Sequence, residues 1–261
     1  MYILGITVST QILLFLKKVI YLVINKYLYL MYQDYKSLHE ANLNKRDKNN
    51  MFMSPNIKTI PRLNHRIKIG VLASGNGSNF ESLVRSSQDN RLNAEISILI
   101  VNQPNCHAIN RAIKLNIPFE IINHSDYSRE EHDQLIINKL KEYSVELVVM
   151  AGWMRIVGNE LINNFKNRLI NVHPSLLPSF KGVDAIKQAI EKKVMISGCT
   201  VHHVVKEVDS GEIIIQAAIS IRSSENYDSI KANIQYMEHK ILPIGVAIVA
   251  QQITNNIKDK M

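Results

Sequence analysis

Between residues 67 and 172 the chain alternates repeatedly between short, apolar, β-prone runs and longer stretches with helical apolar spacing. The strand-like runs cover 67–73, 96–101, 119–122, 147–151 and 169–172. Helical stretches start at Asn79, cover about 106–115 and 128–143, and continue with a short one near 159–165. A β-α alternation of this kind folds as a parallel, doubly wound sheet with helices on both faces. Runs such as Leu147-Val148-Val149-Met150 suit strands buried on both sides. A further helix is expected at 184–193, then strands at 199–208 and 213–221. The short Asp209-Ser210-Gly211-Glu212 connection makes the latter two an antiparallel hairpin added to the sheet. Residues 225 to about 252 form a closing helical region interrupted at Pro243. The fold expected is therefore α/β, mostly parallel, with about seven strands.

Charge separates this region from what precedes it. The chain carries +8, but residues 1–66 hold 10 basic and 3 acidic side chains, against 21 and 20 in residues 67–261. The near-neutral part gives no footing for nucleic acid, so no nucleic-acid partner is expected. Residues 1–32 are apolar, broken by Lys17 and Lys18, and too short in either block for a clean spanning helix. Gln11, Lys18 and Asn25 recur at a seven-residue spacing, a narrow polar stripe that suits a membrane-surface helix. Any membrane contact is expected only through 1–32. Residues 33–66, with Pro55, Pro61 and the polar run 44–50, read as a linker. The working domain is thus expected at 67–261, with 1–66 outside the fold. Cys106 and Cys199 offer neither a disulfide framework nor metal-ligand spacing, which points to a reducing compartment and no metal.

Three stretches carry chemistry. In Leu169-Ile170-Asn171-Val172-His173-Pro174, the i, i+2 spacing puts Asn171 and His173 on one strand face, and Pro174 ends the pairing. An amide donor beside an imidazole at a strand end suits a reaction at a carbonyl. Alone, the pair equally suits two satisfied polar groups in a core strand. In Ala73-Ser74-Gly75-Asn76-Gly77-Ser78-Asn79, glycines at a strand-to-helix turn let backbone N–H groups approach one phosphate. The stretch lacks both the dinucleotide pattern, because Phe80 holds the last position, and the P-loop lysine. Asp209 lies in the hairpin turn, where proximity to His173 would orient the imidazole and raise its pKa. His202 and His203 face opposite ways on the strand before it, so one of them faces the cleft. Ala151-Gly152-Trp153-Met154-Arg155-Ile156-Val157 closes the fourth strand, at the end where open α/β sheets bind ligands. Trp153 itself is expected in the core.

Together these motifs resemble the phosphoribosylglycinamide formyltransferase family of folate-dependent transformylases. The likeness runs from about 67 to 252. It includes the glycine stretch, Ala151-Gly152-Trp153-Met154-Arg155-Ile156, Asn171-Val172-His173-Pro174-Ser175-Leu176-Leu177-Pro178, Gly198-Cys199-Thr200-Val201-His202, and Gln235-Tyr236-Met237-Glu238-His239. The resemblance implies Asn171, His173 and Asp209 as catalytic residues. It implies Asn76, Gly77, Ser78, Asn79 and Glu238 against a ribonucleotide, and Arg129, Met154, Arg155, Ile156, Val157 and His202 against folate. It implies formyl transfer from 10-formyltetrahydrofolate, a co-substrate rather than a bound cofactor, to the amine of glycinamide ribonucleotide in purine synthesis. Asn171 and a protonated His173 would stabilise the oxyanion, with Asp209 holding the ring charged. Residues 180–184 depart from the family pattern, and no role is carried to Asp184. The partners implied are small molecules, the assembly a monomer or homodimer, and the compartment the cytoplasm, or plastid stroma for an organellar chain. Alternatives are a formyltetrahydrofolate hydrolase, which leaves the phosphate loop without a reason, and a methionyl-tRNA formyltransferase, for which a further basic domain is expected. From another class comes a non-catalytic nucleotide-binding module.

Overall fold

The computed structural model describes residues 51–258. The strands are β1 (Met51–Ser54), β2 (Ile67–Ala73), β3 (Ala94–Val101), β4 (Phe119–Ile121), β5 (Leu147–Met150), β6 (Leu169–His173), β7 (Ile196–His203) and β8 (Ile213–Ser220). The helices are α1 (Ser78–Gln88), α2 (His107–Leu115), α3 (Arg129–Glu142), α4 (Asn159–Asn164), α5 (Ala185–Glu191) and α6 (Tyr227–Lys258). The strands form one 8-stranded sheet in the order β1-β8-β7-β6-β5-β2-β3-β4. Pairs from β6 through β5, β2 and β3 to β4 are parallel. Those joining β6, β7, β8 and β1 are antiparallel. The mostly parallel sheet with its added hairpin is the one expected.

The chain leaves β2 towards β3 and β4, then returns to β5 on the other side of β2. Strand order therefore reverses between β2 and β5, and a crevice opens beyond their carboxyl ends. Two apolar layers flank the sheet. Alternate residues of β2 and β3, Ile69, Val71, Leu99 and Val101, join Phe80 and Leu83 of α1, Ala112 of α2 and Ile241 of α6. Leu72, Ile98 and Ile100 point the other way, against Ile136, Ile137 and Leu140 of α3 and Leu161 of α4. Burying one such Ile or Leu contributes about 1.5–3 kcal/mol. A capping box fixes the start of α3: Ser128 Oγ accepts the Glu131 N–H at 3.2 Å, and Glu131 Oε2 accepts the Ser128 N–H at 2.9 Å.

Three expectations change. The segment 51–66, read as linker, contributes β1, which pairs antiparallel with β8 and makes the eighth strand. Leu63 enters the core there, and Met53, Ile57 and Ile60 pack against it. The strand read at 199–208 lies at Ile196–His203, so residues 204–212 form a longer connection to β8. Pro243 does not interrupt the last helix: α6 runs through it, held by buried Ile241, Leu242, Ile244 and Val246 on either side. The expectations for 1–32 and for the run 44–50 lie outside the described residues.

Candidate active site

The carboxyl end of β6 brings Asn171 and His173 to one cavity of about 460 Å³, as their shared strand face requires. His173 is buried. Its Nε2 donates to the Phe180 carbonyl at 2.8 Å, and its Nδ1 lies 3.3 Å from Asp209 Oδ2. Asp209 sits at φ 49, in the left-handed region that Asp tolerates. There its Oδ2 accepts the Gly182 N–H at 2.8 Å and its Oδ1 lies 3.6 Å from His202 Nε2. His202 donates from Nδ1 to the His203 carbonyl at 2.8 Å, which leaves Nε2 as an acceptor. Asn171 Nδ2 donates to that nitrogen at 3.2 Å. One amide hydrogen of Asn171 is thereby used and the other is left for a cavity oxygen. β6 and β7 pair Asn171 with His202, which is how the sheet register assembles the group.

Burial alone would raise the Asp209 carboxyl. The contact with His202, the Gly182 N–H and the neighbouring His173 ring outweigh it and hold Asp209 below the usual carboxylate range. The charge expected on His173 is opposed by burial. Burial pushes its ring below the ordinary histidine range, and the Phe180 carbonyl and Asp209 pull it back only in part. Burial thus favours the neutral ring of His173, while its contacts favour the carboxylate of Asp209.

The segment after β5 walls the cavity with Met154, Arg155, Ile156 and Val157. Met154 and Ile156 stand largely exposed at the mouth, and Val157 is buried. Trp153 is buried as expected, stacked on His132 at 5.9 Å between ring centroids, although it also borders the cavity.

The glycine loop lies one strand away, across the switch point. Gly77 takes φ 74 at the start of α1. A Cβ there would sit 2.7 Å from the Ala108 Cβ, so glycine is needed both for conformation and for space. Asn79 donates from Nδ2 to Glu238 Oε2 at 2.9 Å, and Ser78 Oγ accepts from Gln235 Nε2 at 2.6 Å. Burial pushes the Glu238 carboxyl up to about 7, against the Asn79 hydrogen bond. Asn76 turns outward instead: Arg111 donates from Nε to its carbonyl at 2.7 Å and from a guanidinium NH2 to its Oδ1 at 3.0 Å. Arg111 also pairs with Glu81.

Arg129 is not brought in. It is exposed in the first turn of α3 and does not line the cavity. Residues that sequence reasoning passed over are Tyr227 and Lys231, which line the cavity from α6, and Arg111. The signal was available in part: 227, 231, 235 and 238 recur at helical spacing and make one stripe from the cavity to the glycine loop. Among the described residues no helix is long and apolar enough to cross a membrane.

The sequence profile described as Formyl transferase matches residues 67–246. Phosphoribosylglycinamide formyltransferase of Bacillus subtilis is 38% identical over 177 residues, covering 67% of this chain and 91% of that protein. The human trifunctional purine biosynthetic protein adenosine-3 is 38% identical over 186 residues, and the match spans 71% of this chain but only 18% of that much longer protein. In the chicken counterpart the match spans 19%. Glycinamide ribonucleotide transformylase 1 from Symbiobacterium toebii superposes with a TM-score of 0.71 at 34% identity, covering 73% of this chain and 90% of that one. With the family profile matched over most of its length and the fold shared, this chain belongs to the formyl transferase family.

Proposed function

We propose that this protein transfers the formyl group of 10-formyltetrahydrofolate to the amine of glycinamide ribonucleotide, a step of purine synthesis. The observation that carries the reading is the Asn171, His173 and Asp209 group at the floor of a cavity whose neighbouring strand bears the glycine loop. The relatives named for this reaction support it. Folate occupies the cavity beside the 154–157 wall, and the ribonucleotide phosphate sits on the backbone N–H groups of 76–79. Glu238 and Asn79 face the sugar, and Arg129 contributes only to a tail reaching past the mouth.

The amine nitrogen forms a bond to the formyl carbon, and the carbonyl electrons move onto oxygen. The free amide hydrogen of Asn171 meets that oxyanion. The neutral His173 accepts the proton shed by the amine at Nδ1, becoming an imidazolium that Asp209 stabilises and that adds to the field on the oxyanion. As the carbon–N10 bond breaks, that proton passes to N10 through the ring or a bridging water. The formyl group moves directly, and no metal or resident cofactor enters the step. The partners are these two small molecules, as a near-neutral 67–261 favours, in a cytoplasmic or stromal monomer or homodimer. The domain doing this is 51–261, since β1 belongs to its sheet. The test is formyl transfer by purified protein with and without glycinamide ribonucleotide. Tetrahydrofolate release that needs the ribonucleotide supports the transferase, whereas equal release without it makes the protein a hydrolase.

A further inference from the structure

The wall 154–157 is pinned by side chains that stand outside the cavity. At its start Ser74 Oγ accepts the Met154 N–H at 2.8 Å. Just past its end Asp133 Oδ2 accepts the Gly158 N–H at 2.5 Å. Between the two, Arg155 donates to the His124 carbonyl at 3.2 Å. Ser74 follows β2 and Asp133 lies on α3, 2% exposed, and neither lines the cavity. Asp133 and Gly158 are matched to each other, since a Cβ at 158 would lie 2.6 Å from Asp133 Oδ2. The wall cannot be held by its own outer side chains, because Met154 is 79% and Ile156 54% exposed. Its position rests on buried Val157, the Arg155 bond and the two backbone N–H groups, and a buried carboxylate is the stronger kind of acceptor for such a group.

We propose that Asp133 and Ser74 are positioning residues that set the 154–157 wall and so govern affinity for the flat ring of the folate co-substrate, leaving the ribonucleotide subsite unaffected. The inference rests on the reading of this cavity as the folate site. A wall released at either end widens the slot and loses contact along the ring face. Asp133→Asn keeps a carbonyl acceptor for the Gly158 N–H, whereas Asp133→Ala removes the acceptor from that half-buried donor.

The experiment measures KM for both substrates and kcat in Asp133→Ala, Asp133→Asn and Ser74→Ala, together with tryptophan emission. Trp153, the single tryptophan, adjoins the wall and reports its position without any ligand. In Asp133→Ala the folate KM should rise about tenfold, the loss of one charge-assisted hydrogen bond. In Ser74→Ala it should rise about threefold, as for a neutral bond. KM for the ribonucleotide and kcat should stay within about twofold, since nothing in the transition state is removed. Asp133→Asn should restore most of the folate affinity, and Trp153 emission should shift to the red only in the alanine variants. Equal changes in both KM values, or unchanged folate KM with unmoved emission in both alanine variants, overturn the proposal. Should Asp133→Ala fail to fold, Ser74→Ala and Asp133→Asn decide. Absence of formyl transfer in the unmutated protein would refute the proposed function instead, and the emission would still judge the pinning of the wall.

Discussion

Glu238→Gln isolates the electrostatics of the glycine loop. In the folded protein burial raises the Glu238 carboxyl from 4.5 to about 7, with the Asn79 amide as its hydrogen-bond partner. The native state therefore holds this proton more tightly than the unfolded chain. Its contribution to stability is complete below pH about 4.5 and is lost as pH rises through about 7, amounting to about 3 kcal/mol. The neighbouring His239 runs the other way. Burial, with the Arg111 charge nearby, pushes its ring from 6.5 to about 4. Its contribution is complete above pH about 6.5 and is lost as pH falls towards about 4. Between these limits the two trends oppose, so the wild-type protein should show a shallow pH dependence. Glutamine keeps an acceptor for Asn79 but does not titrate, which exposes the His239 trend. Urea denaturation from pH 4.5 to 8 is the assay. The stability of Glu238→Gln relative to wild type should start near zero and climb by about 3 kcal/mol, levelling off above pH about 7. A difference that does not change with pH would refute the assignment of a buried, proton-holding carboxyl at this position.

His173→Ala should lower kcat at least ~10²-fold with little change in either KM, and the double mutant with Asp209→Asn should be little worse than the poorer single mutant. Asp209→Asn should also lower the pH at which the His173 ring loses its proton, because Asp209 pulls that value up, as a kcat–pH profile will show. Gly77→Ala meets Ala108 in a left-handed backbone and should cost about 1–3 kcal/mol, while raising KM for the ribonucleotide more than for folate. Leu63→Ala should cost about 2–3 kcal/mol in urea denaturation, and no cost would show that 51–66 is only a tether.

The core sheet was legible because buried strands and amphipathic helices leave different apolar periods, and the stretch from 67 to 172 alternates cleanly between them. The Asn171 and His173 pairing was legible for the same reason, a two-residue spacing on one strand. β1 was not, because Met53, Ile57, Ile60 and Leu63 are spaced by three or four residues rather than the two of a strand and sit among prolines and polar residues that mimic a linker. The charge of His173 could not be read either. A carboxylate partner is visible in sequence, but burial is a property of the assembled chain and here it is the larger effect. Arg111 escaped for a related reason: its hold on Asn76 joins α2 to the glycine loop, which only the sheet brings side by side.

α6 has a consequence for which molecules the site accepts. Tyr227 and Lys231 border the cavity, while Gln235 and Glu238 hold the residues of the glycine loop, all on one continuous helix. A helix is stiff and advances about 1.5 Å per residue, so the interval between Lys231 and Glu238 is close to 10 Å. It acts as a gauge of length. On the proposed reading, a molecule anchored by its phosphate at the loop meets a cavity held at a fixed separation from it, so the helix would select by reach among compounds whose end groups are chemically alike.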